Sequence, residues 1–370
     1  MRKISIITER RADYSRFLPI IKEIEKSDKL EYSLIVTGNH LLEDHGYTIN
    51  EIKKDGIKID YEFEMFTDNE DSGASMSRAL GLAINRLPSI LEDQKPDLIL
   101  SGFDIAANLA ITIVGAHMNI PVFHIQGGEV TGTIDESIRH AMSKFAHYHF
   151  AANFDACERL IKLGEIPSHV YDVGCPSIDA LLAVDDEPNI QSKFQLDQNY
   201  FLVLQHPVTT EYGKSSDQIK ETISALKEYS EYDALFILPN NDAGYREIID
   251  QITNSGYKYV KALPIKDYVN LLKRSVALVG NSSSGIHETP TFDIPTVNVG
   301  SRQNARLRSN NVFDAGYSKE EIVKCIAEAI KWKGKKAQKV YGEGNSAKKI
   351  VNILENADIS EKIIQKQITY

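Results

Sequence analysis

The sequence predicts an α/β protein with two doubly wound, Rossmann-like domains facing each other across a cleft. Short apolar, β-branched runs recur at Ile4–Thr8, Ser33–Thr37, Asp97–Ser101, Pro121–Ile125 and Tyr148–Ala151, then at Phe201–Gln205, Ala234–Leu238, Val276–Val279 and Pro295–Val299. Most are apolar throughout rather than alternating, the pattern of strands covered on both faces. Helix-like stretches alternate with them, which is the order of parallel sheets. The pattern restarts near residue 200, after the polar stretch Asp185-Asp186-Glu187-Pro188-Asn189.

At about 100–200 residues per domain, a chain of 370 residues accommodates two. Hydrophobic residues make up 42% and charged residues 25%, which excludes a wholly disordered chain. The formal net charge of −10 argues against a general nucleic-acid or anionic-membrane binder. It does not oppose a small anionic ligand held in a local Arg/His/amide pocket. Cys157, Cys175 and Cys325 form no CxxC pair, so no disulfide framework is expected and a reducing, cytoplasmic setting is. The apolar run after Met1-Arg2-Lys3 is too short for a signal peptide, and no stretch approaches the ~20 apolar residues of a membrane span.

The first strand runs into Thr8-Glu9-Arg10-Arg11-Ala12-Asp13-Tyr14-Ser15 and then a helix over Tyr14–Ser27, with Phe17, Ile20, Ile21 and Ile24 at helical spacing. A strand, polar turn and helix start make an anion site from helix-terminal amides, to which Arg11 adds a fixed charge. Asp13 or Ser15 serves equally well as a helix cap. There is no GxGxxG, so a dinucleotide fingerprint is absent.

The strand at Pro121–Ile125 leads into the densest motif, from His124 through Gln126-Gly127-Gly128-Glu129 and Asp135 to Arg139-His140. A parallel sheet places Asp104, at the end of the preceding strand, beside it. A helix starting near Asp135 sets Asp135 and Arg139 on neighbouring turns, as site residues or as an N-cap and its ion-pair partner. His147 and His149 alternate along a strand and are read as structural. The first unit ends near Gly174.

In the second unit, Phe201–Gln205 ends on Gln205-His206-Pro207, where a His can donate to a phosphate oxygen or merely satisfy a turn. Helices are expected over Asp217–Tyr229 and Lys266–Lys273. Asn240-Asn241-Asp242 occupies the matching position after the next strand. Val276–Val279 leads into Gly280-Asn281-Ser282-Ser283-Ser284-Gly285-Ile286-His287-Glu288. Small residues, hydroxyls and helix N-terminal amides cradle a diphosphate there, with Glu288 one turn on and suited to ribose hydroxyls. The bland alternative is a Ser/Gly loop with a capping box. The basic cluster Lys331 to Lys339 reads as a solvated helix end. The last segment, Ser346–Asn356, is a helix with Ile350, Val351, Ile353 and Leu354 on its apolar face.

These motifs, in this order and over nearly the whole chain, resemble the hydrolysing UDP-N-acetylglucosamine 2-epimerase family. The resemblance rests on Arg11-Ala12-Asp13, Gly38-Asn39-His40-Leu41-Leu42, the run Gly127–His140, Gln205–Thr209, Gly280–Gly285 and Tyr341-Gly342-Glu343-Gly344-Asn345. It implies the two-domain glycosyltransferase-B fold, with residues 1–174 as the sugar domain and 175–345 as the UDP domain. It also implies a helix over about 346–370 crossing back to the first domain. It assigns catalysis to Asp104, Gln126, Glu129, Asp135 and His206. Ligand contact is assigned to Arg11, Asp13, Ser15, His40, Arg139, Asn241, Asp242, Ser282, Ser283, Ser284, Gly285, Glu288 and Arg302.

No metal and no redox cofactor is implied. The expected partners are a UDP-sugar, UDP as product, and a second copy in a homodimer. Three positions depart from the family pattern. Gln126 replaces a Glu, and an amide is no base at neutral pH, which moves proton transfer to Asp104 and Asp135. Gly102-Phe103-Asp104-Ile105 replaces a Gly-Asp-Arg, so Ile105 is expected to make the sugar site less polar and to favour a 6-deoxy, 4-acetamido sugar. Arg16 stands where many members have Lys. A UDP-dependent glycosyltransferase, a non-hydrolysing epimerase and a silent UDP-sugar sensor are the competing readings.

Overall fold

The computed structural model describes residues 1–67 and 72–370, and these form two parallel sheets. The first contains β1 (Arg2–Thr8), β2 (Leu30–Val36), β3 (Tyr61–Glu62), β4 (Leu98–Gly102), β5 (Val122–Ile125), β6 (Tyr148–Ala151) and β7 (Val170–Asp172). Its order is β3-β2-β1-β4-β5-β6-β7. The second contains β8 (Tyr200–Leu204), β9 (Asp233–Ile237), β10 (Lys258–Val260), β11 (Ala277–Gly280), β12 (Thr296–Val299) and β13 (Val312–Ala315), in the order β10-β9-β8-β11-β12-β13. The nine strands read from sequence are present, and the edge strands β3, β7, β10 and β13 join them.

The continuous apolar character of the strands follows from cover on both faces. Ile4 and Ile6 of β1 face one core with Phe17, Ile20 and Phe123, while Ile7 faces another with Ala83, Leu87 and Ile111. The second sheet repeats this, with Val203 and Val279 on one side and Leu202 and Leu278 on the other. Each sheet winds outward from its middle strands in both directions. Strand order therefore reverses between β1 and β4, and again between β8 and β11, where crevices open at the strands' carboxyl ends.

The helix Ser346–Asn356 crosses back to the first domain. Its Ile350 and Leu354 lie in the same core as Ile20 and Ile24, and full burial of each contributes about 1.5–3 kcal/mol. Arg2 donates to the carbonyls of Leu354 and Ala357, which fixes this helix end to β1. The helix Pro176–Leu182 packs against the helix Arg11–Ile24, and Asp179 accepts from Ser346 N and Ala347 N. The first domain's packing therefore extends past Gly174, and the chain crosses to the second sheet after Leu182. In the basic cluster, Lys333 donates to Ser275 O, and Lys336 and Lys339 pair with Asp293. Among the described residues, no helix is long and apolar enough to cross a membrane.

Candidate active site

All four switch-point strands deliver polar groups to one cleft. β1 feeds the helix Arg11–Ile24, whose N-cap is Arg10. Asp13 closes a capping box there, its two oxygens accepting from Glu9 N and Arg10 N. β8 ends before His206, whose N–H donates to Asn281 Oδ1 and whose Nδ1 accepts from Asn240 N. β11 ends at Gly280 with φ +130°, and a Cβ there would strike the Leu204 carbonyl that Asn281 N and Ser282 N both bond. Only glycine lets the Ser-rich loop turn this close to the strand end.

The larger cavity is lined by Arg10, Arg11, Ser15 and Arg16 from one wall. His206, Asn240, Ser282, Ser283, Ser284 and Glu288 line the other, with an apolar recess of Leu238, Pro239, Ala262, Leu263 and Ile265. Ser284 donates to Glu288 Oε2 at 2.6 Å and also contacts Tyr268 Oη. Burial lowers the His206 imidazole to about 3, so it is neutral and one ring nitrogen remains a donor.

A smaller, polar chamber adjoins it, sharing Arg16 and Ser283. Its walls are Phe103 and Asp104 after β4, Gln126 and Glu129 after β5, Asp135 and Arg139 on the helix Asp135–Phe145, and His287, Arg302 and Arg306 from the second domain. Phe103 (φ 70°) and Gln126 (φ 59°) both adopt left-handed backbone, which is uncommon outside glycine and clusters at functional sites.

Asp104 pairs with Arg139 across neighbouring strand ends, so Arg139 serves Asp104 rather than Asp135. Burial raises the Asp135 carboxyl above its ordinary value, against the opposing pull of Arg302 at 3.9 Å. Burial pushes Glu129 upward too, but His287 and Arg306 outweigh it and bring the group to about 2.

Five expected ligand contacts line neither of these two cavities. His40 is fully buried, its ring nitrogens engaged by Thr8 Oγ1 and Thr48 Oγ1, because its loop packs under β1. Asp13 is spent on the helix cap. Asn241 lines a neighbouring hollow beside His45, while Asn240 faces the main cavity. Asp242 pairs with Arg10 at 3.4 Å across the cleft. Gly285 packs against Thr296, where a Cβ would lie 2.6 Å from its methyl. Ile105 is buried and lines neither cavity, so Phe103 is the apolar wall of the chamber.

Arg10, Arg306 and Tyr268 were not singled out by sequence reading. The available signal was the spacing of Arg306 four residues after Arg302, behind a strand end. The domain contact itself is close: Gly132 N donates to Arg302 O at 2.9 Å, and Arg306 Nε donates to Val130 O at 3.2 Å.

Two parallel sheets joined across a nucleotide-sized cleft define a two-domain sugar-nucleotide fold. The structure superposes with a TM-score of 0.81 on a Neisseria meningitidis UDP-GlcNAc 2-epimerase bound to UDP-GlcNAc, at 19% identity and covering 96% of this chain and 99% of that one. The sequence profile described as UDP-N-acetylglucosamine 2-epimerase matches residues 22–355. Similar curated proteins include a Legionella pneumophila UDP-N,N'-diacetylbacillosamine 2-epimerase (hydrolyzing), 34% identical with 100% of both chains covered. Another is a Neisseria meningitidis UDP-N-acetylglucosamine 2-epimerase, 31% identical over 99% of this chain and 98% of the relative. The chain belongs to the UDP-N-acetylglucosamine 2-epimerase family and is a UDP-sugar 2-epimerase.

Proposed function

We propose that this epimerase is of the hydrolysing type. It converts a UDP-2-acetamido sugar to UDP and the free C2-inverted sugar through a 2-acetamidoglycal. The observation that carries the reading is the continuity of the two cavities through Arg16 and Ser283. A diphosphate among Ser282, Ser283, His206 and the arginines leaves C1 and C2 in the chamber that holds Asp104 and Asp135.

The C2–H of a UDP-sugar is barely acidic. As the C1–O bond to UDP breaks, C1 becomes oxocarbenium-like and the C2 proton becomes removable. Arg11, Arg16, the serine hydroxyls and the neutral His206 stabilise the leaving diphosphate. A carboxylate of Asp104 or Asp135 takes the C2 proton as C1=C2 forms. Water then adds its oxygen to C1, and a proton returns to C2 from the other face. The raised Asp135 carboxyl suits a group that both takes and gives a proton.

For the sugar we propose a 2,4-diacetamido-2,4,6-trideoxy pattern. The Legionella relative's stated substrate supports it, as does the Phe103 wall, which suits a C6 methyl. Incubation with this UDP-sugar and with UDP-N-acetylglucosamine in D2O, followed by NMR, tests the reading. Free C2-inverted sugar labelled at C2 is expected. An epimerised UDP-sugar as the accumulating product would make the enzyme non-hydrolysing, and an unlabelled C2 would exclude deprotonation there.

A further inference from the structure

The reaction needs two proton-carrying carboxylates, yet the chamber holds a third, Glu129, which the chemistry does not use. Its surroundings are unlike those of a proton carrier. Oε2 lies 3.2 Å from His287 Nε2 and 3.4 Å from Arg306, both on the opposite domain. Oε1 accepts from Gln126 Nε2 at 3.3 Å, and its own carbonyl accepts from Arg139 at 3.2 Å. Glu129, His287 and Arg306 are all buried, at 3%, 2% and 6% exposure. Arg306 and the donors around both oxygens hold the carboxyl ionised, below its ordinary range, which makes it too weak a base for a carbon acid.

An ionised carboxylate only accepts hydrogen bonds, whereas an amide has one donating and one accepting end. Glu129 therefore dictates which way Gln126 faces. The NH2 turns to Glu129 and Oε1 turns away. Gln126 Oε1 is buried without a hydrogen-bond partner, in a residue that lines the sugar chamber from left-handed backbone. A buried acceptor left unpaired is costly unless a ligand donor meets it. On the other side, His287 ends the short helix Ser284–His287 that follows the diphosphate loop. Glu129 thus lines the chamber and lies beside the helix that follows the loop of Ser282 and Ser283.

Resting on the epimerase reading above, we propose that Glu129 is a positioning residue. It locks the Gln126 amide so that Oε1 accepts a hydrogen bond from an N–H or O–H of the substrate sugar. Gln126 is the sugar contact, and neither residue carries the C2 proton.

The full-length enzyme tests this through Glu129→Gln, Glu129→Asp, Gln126→Ala and the Glu129→Gln/Gln126→Ala double variant. UDP affinity is read by calorimetry, and turnover and C2 deuteration by NMR. Each of Glu129→Gln and Gln126→Ala is expected to lower kcat/KM about 10-fold, the loss of one hydrogen bond. UDP affinity should stay within about 2-fold of the wild type, which also reports a folded second domain. The double variant should be no worse than the weaker single one, because the two residues act as one unit. Glu129→Asp should recover part of the loss, and solvent deuterium should still enter C2 in every variant. Losses that multiply in the double variant, or loss of C2 exchange in Glu129→Gln while Gln126→Ala still turns over, would overturn the role given to Glu129. A wild type that releases no UDP overturns the hydrolysing reading itself, whatever the variants do.

Discussion

Replacing Gly132 with alanine should separate nucleotide binding from turnover. Gly132 lies in the loop between β5 and the helix Asp135–Phe145, where its N–H donates to Arg302 O at 2.9 Å and its carbonyl accepts from Thr210 Oγ1 at 3.2 Å. A Cβ there would overlap the Ser301 carbonyl oxygen and lie 2.9 Å from its carbon. Both partners are backbone of the second domain, so no side-chain rotation relieves the clash. The Cβ would lie 2.0 Å from that oxygen, so restoring an ordinary contact of about 3.5–4 Å means opening the domain contact by about 1.5–2 Å. A misplacement of that size costs about 10²-fold in rate, because Asp104 and Asp135 stand on one wall and the diphosphate loop on the other. The UDP groups contributed by the second domain are untouched, and so are both cores. Calorimetric UDP affinity should fall by less than about 10-fold, since the wall carrying Arg11 and Arg16 only recedes, and Tm should hold. Steady-state UDP release should drop ~100-fold. A variant with wild-type kcat, or one that loses UDP binding as steeply as turnover, would refute the claim that this contact sets the spacing of the two walls.

Three further outcomes are expected. Ser282→Ala/Ser283→Ala should weaken UDP binding by about 1–3 kcal/mol in calorimetry, the range for hydrogen bonds to a buried charged phosphate. Asp135→Asn should cut kcat about 10²–10⁴-fold and remove an acid limb of the pH–rate profile lying above the ordinary aspartate range. Because burial raises this carboxyl in the folded state, its favourable contribution is complete below the unfolded pKa and is lost as pH rises through the folded one. The same variant should therefore melt no lower than wild type at pH 7 in scanning calorimetry. For the sugar, kcat/KM should favour the 6-deoxy, 4-acetamido substrate over UDP-N-acetylglucosamine by tens-fold. That ratio combines about 0.8 kcal/mol for a buried methyl with ~1–3 kcal/mol for an unpaired hydroxyl. Phe103→Ala should narrow it, and an unchanged ratio would remove Phe103 from sugar selection.

The parts of this architecture that depend on local pattern were readable from sequence. Continuous apolar runs marked the central strands, and Gly, Ser and His at their ends marked the cleft. Ala106–His117 escaped because most of its residues are buried, which erases the amphipathic stripe that identifies a helix. Gly73–Gln94 carries Gly81 and Pro88 inside, residues that read as breaks. At the site, His40 was assigned ligand contact through the family resemblance of Gly38-Asn39-His40-Leu41-Leu42, and a histidine after a strand also describes His206. Only the tertiary position of Thr8 and Thr48 distinguishes the two. Ile105 was misplaced for a similar reason. The left-handed turn at Phe103 decides which of these neighbours meets the chamber, and sequence spacing does not encode that turn. The pairs Arg10–Asp242, Glu129–His287 and Glu129–Arg306 form only where the domains meet, so no window of sequence could show them.

The distribution of charge across the cleft suggests why the chemistry is split between two domains. The second domain lines the larger cavity with serine hydroxyls, a neutral histidine and an apolar recess, and Lys261 is the one lysine lining it among the described residues. Three arginines facing it, Arg10, Arg11 and Arg16, stand at the start of the helix that follows β1 in the first domain. In the proposed reaction a diphosphate seated on the second domain would draw its arginines from the first, the domain that also carries Asp104 and Asp135. Leaving-group stabilisation and C2 deprotonation have to coincide there, because the proton is acidic only while the C1–O bond is breaking. The proposed chemistry therefore needs both walls at their observed spacing, with Gly132 N on Arg302 O at 2.9 Å and Arg302 3.9 Å from Asp135. Arginines gathered at one helix start would let a chain with a net charge of −10 hold an anionic leaving group.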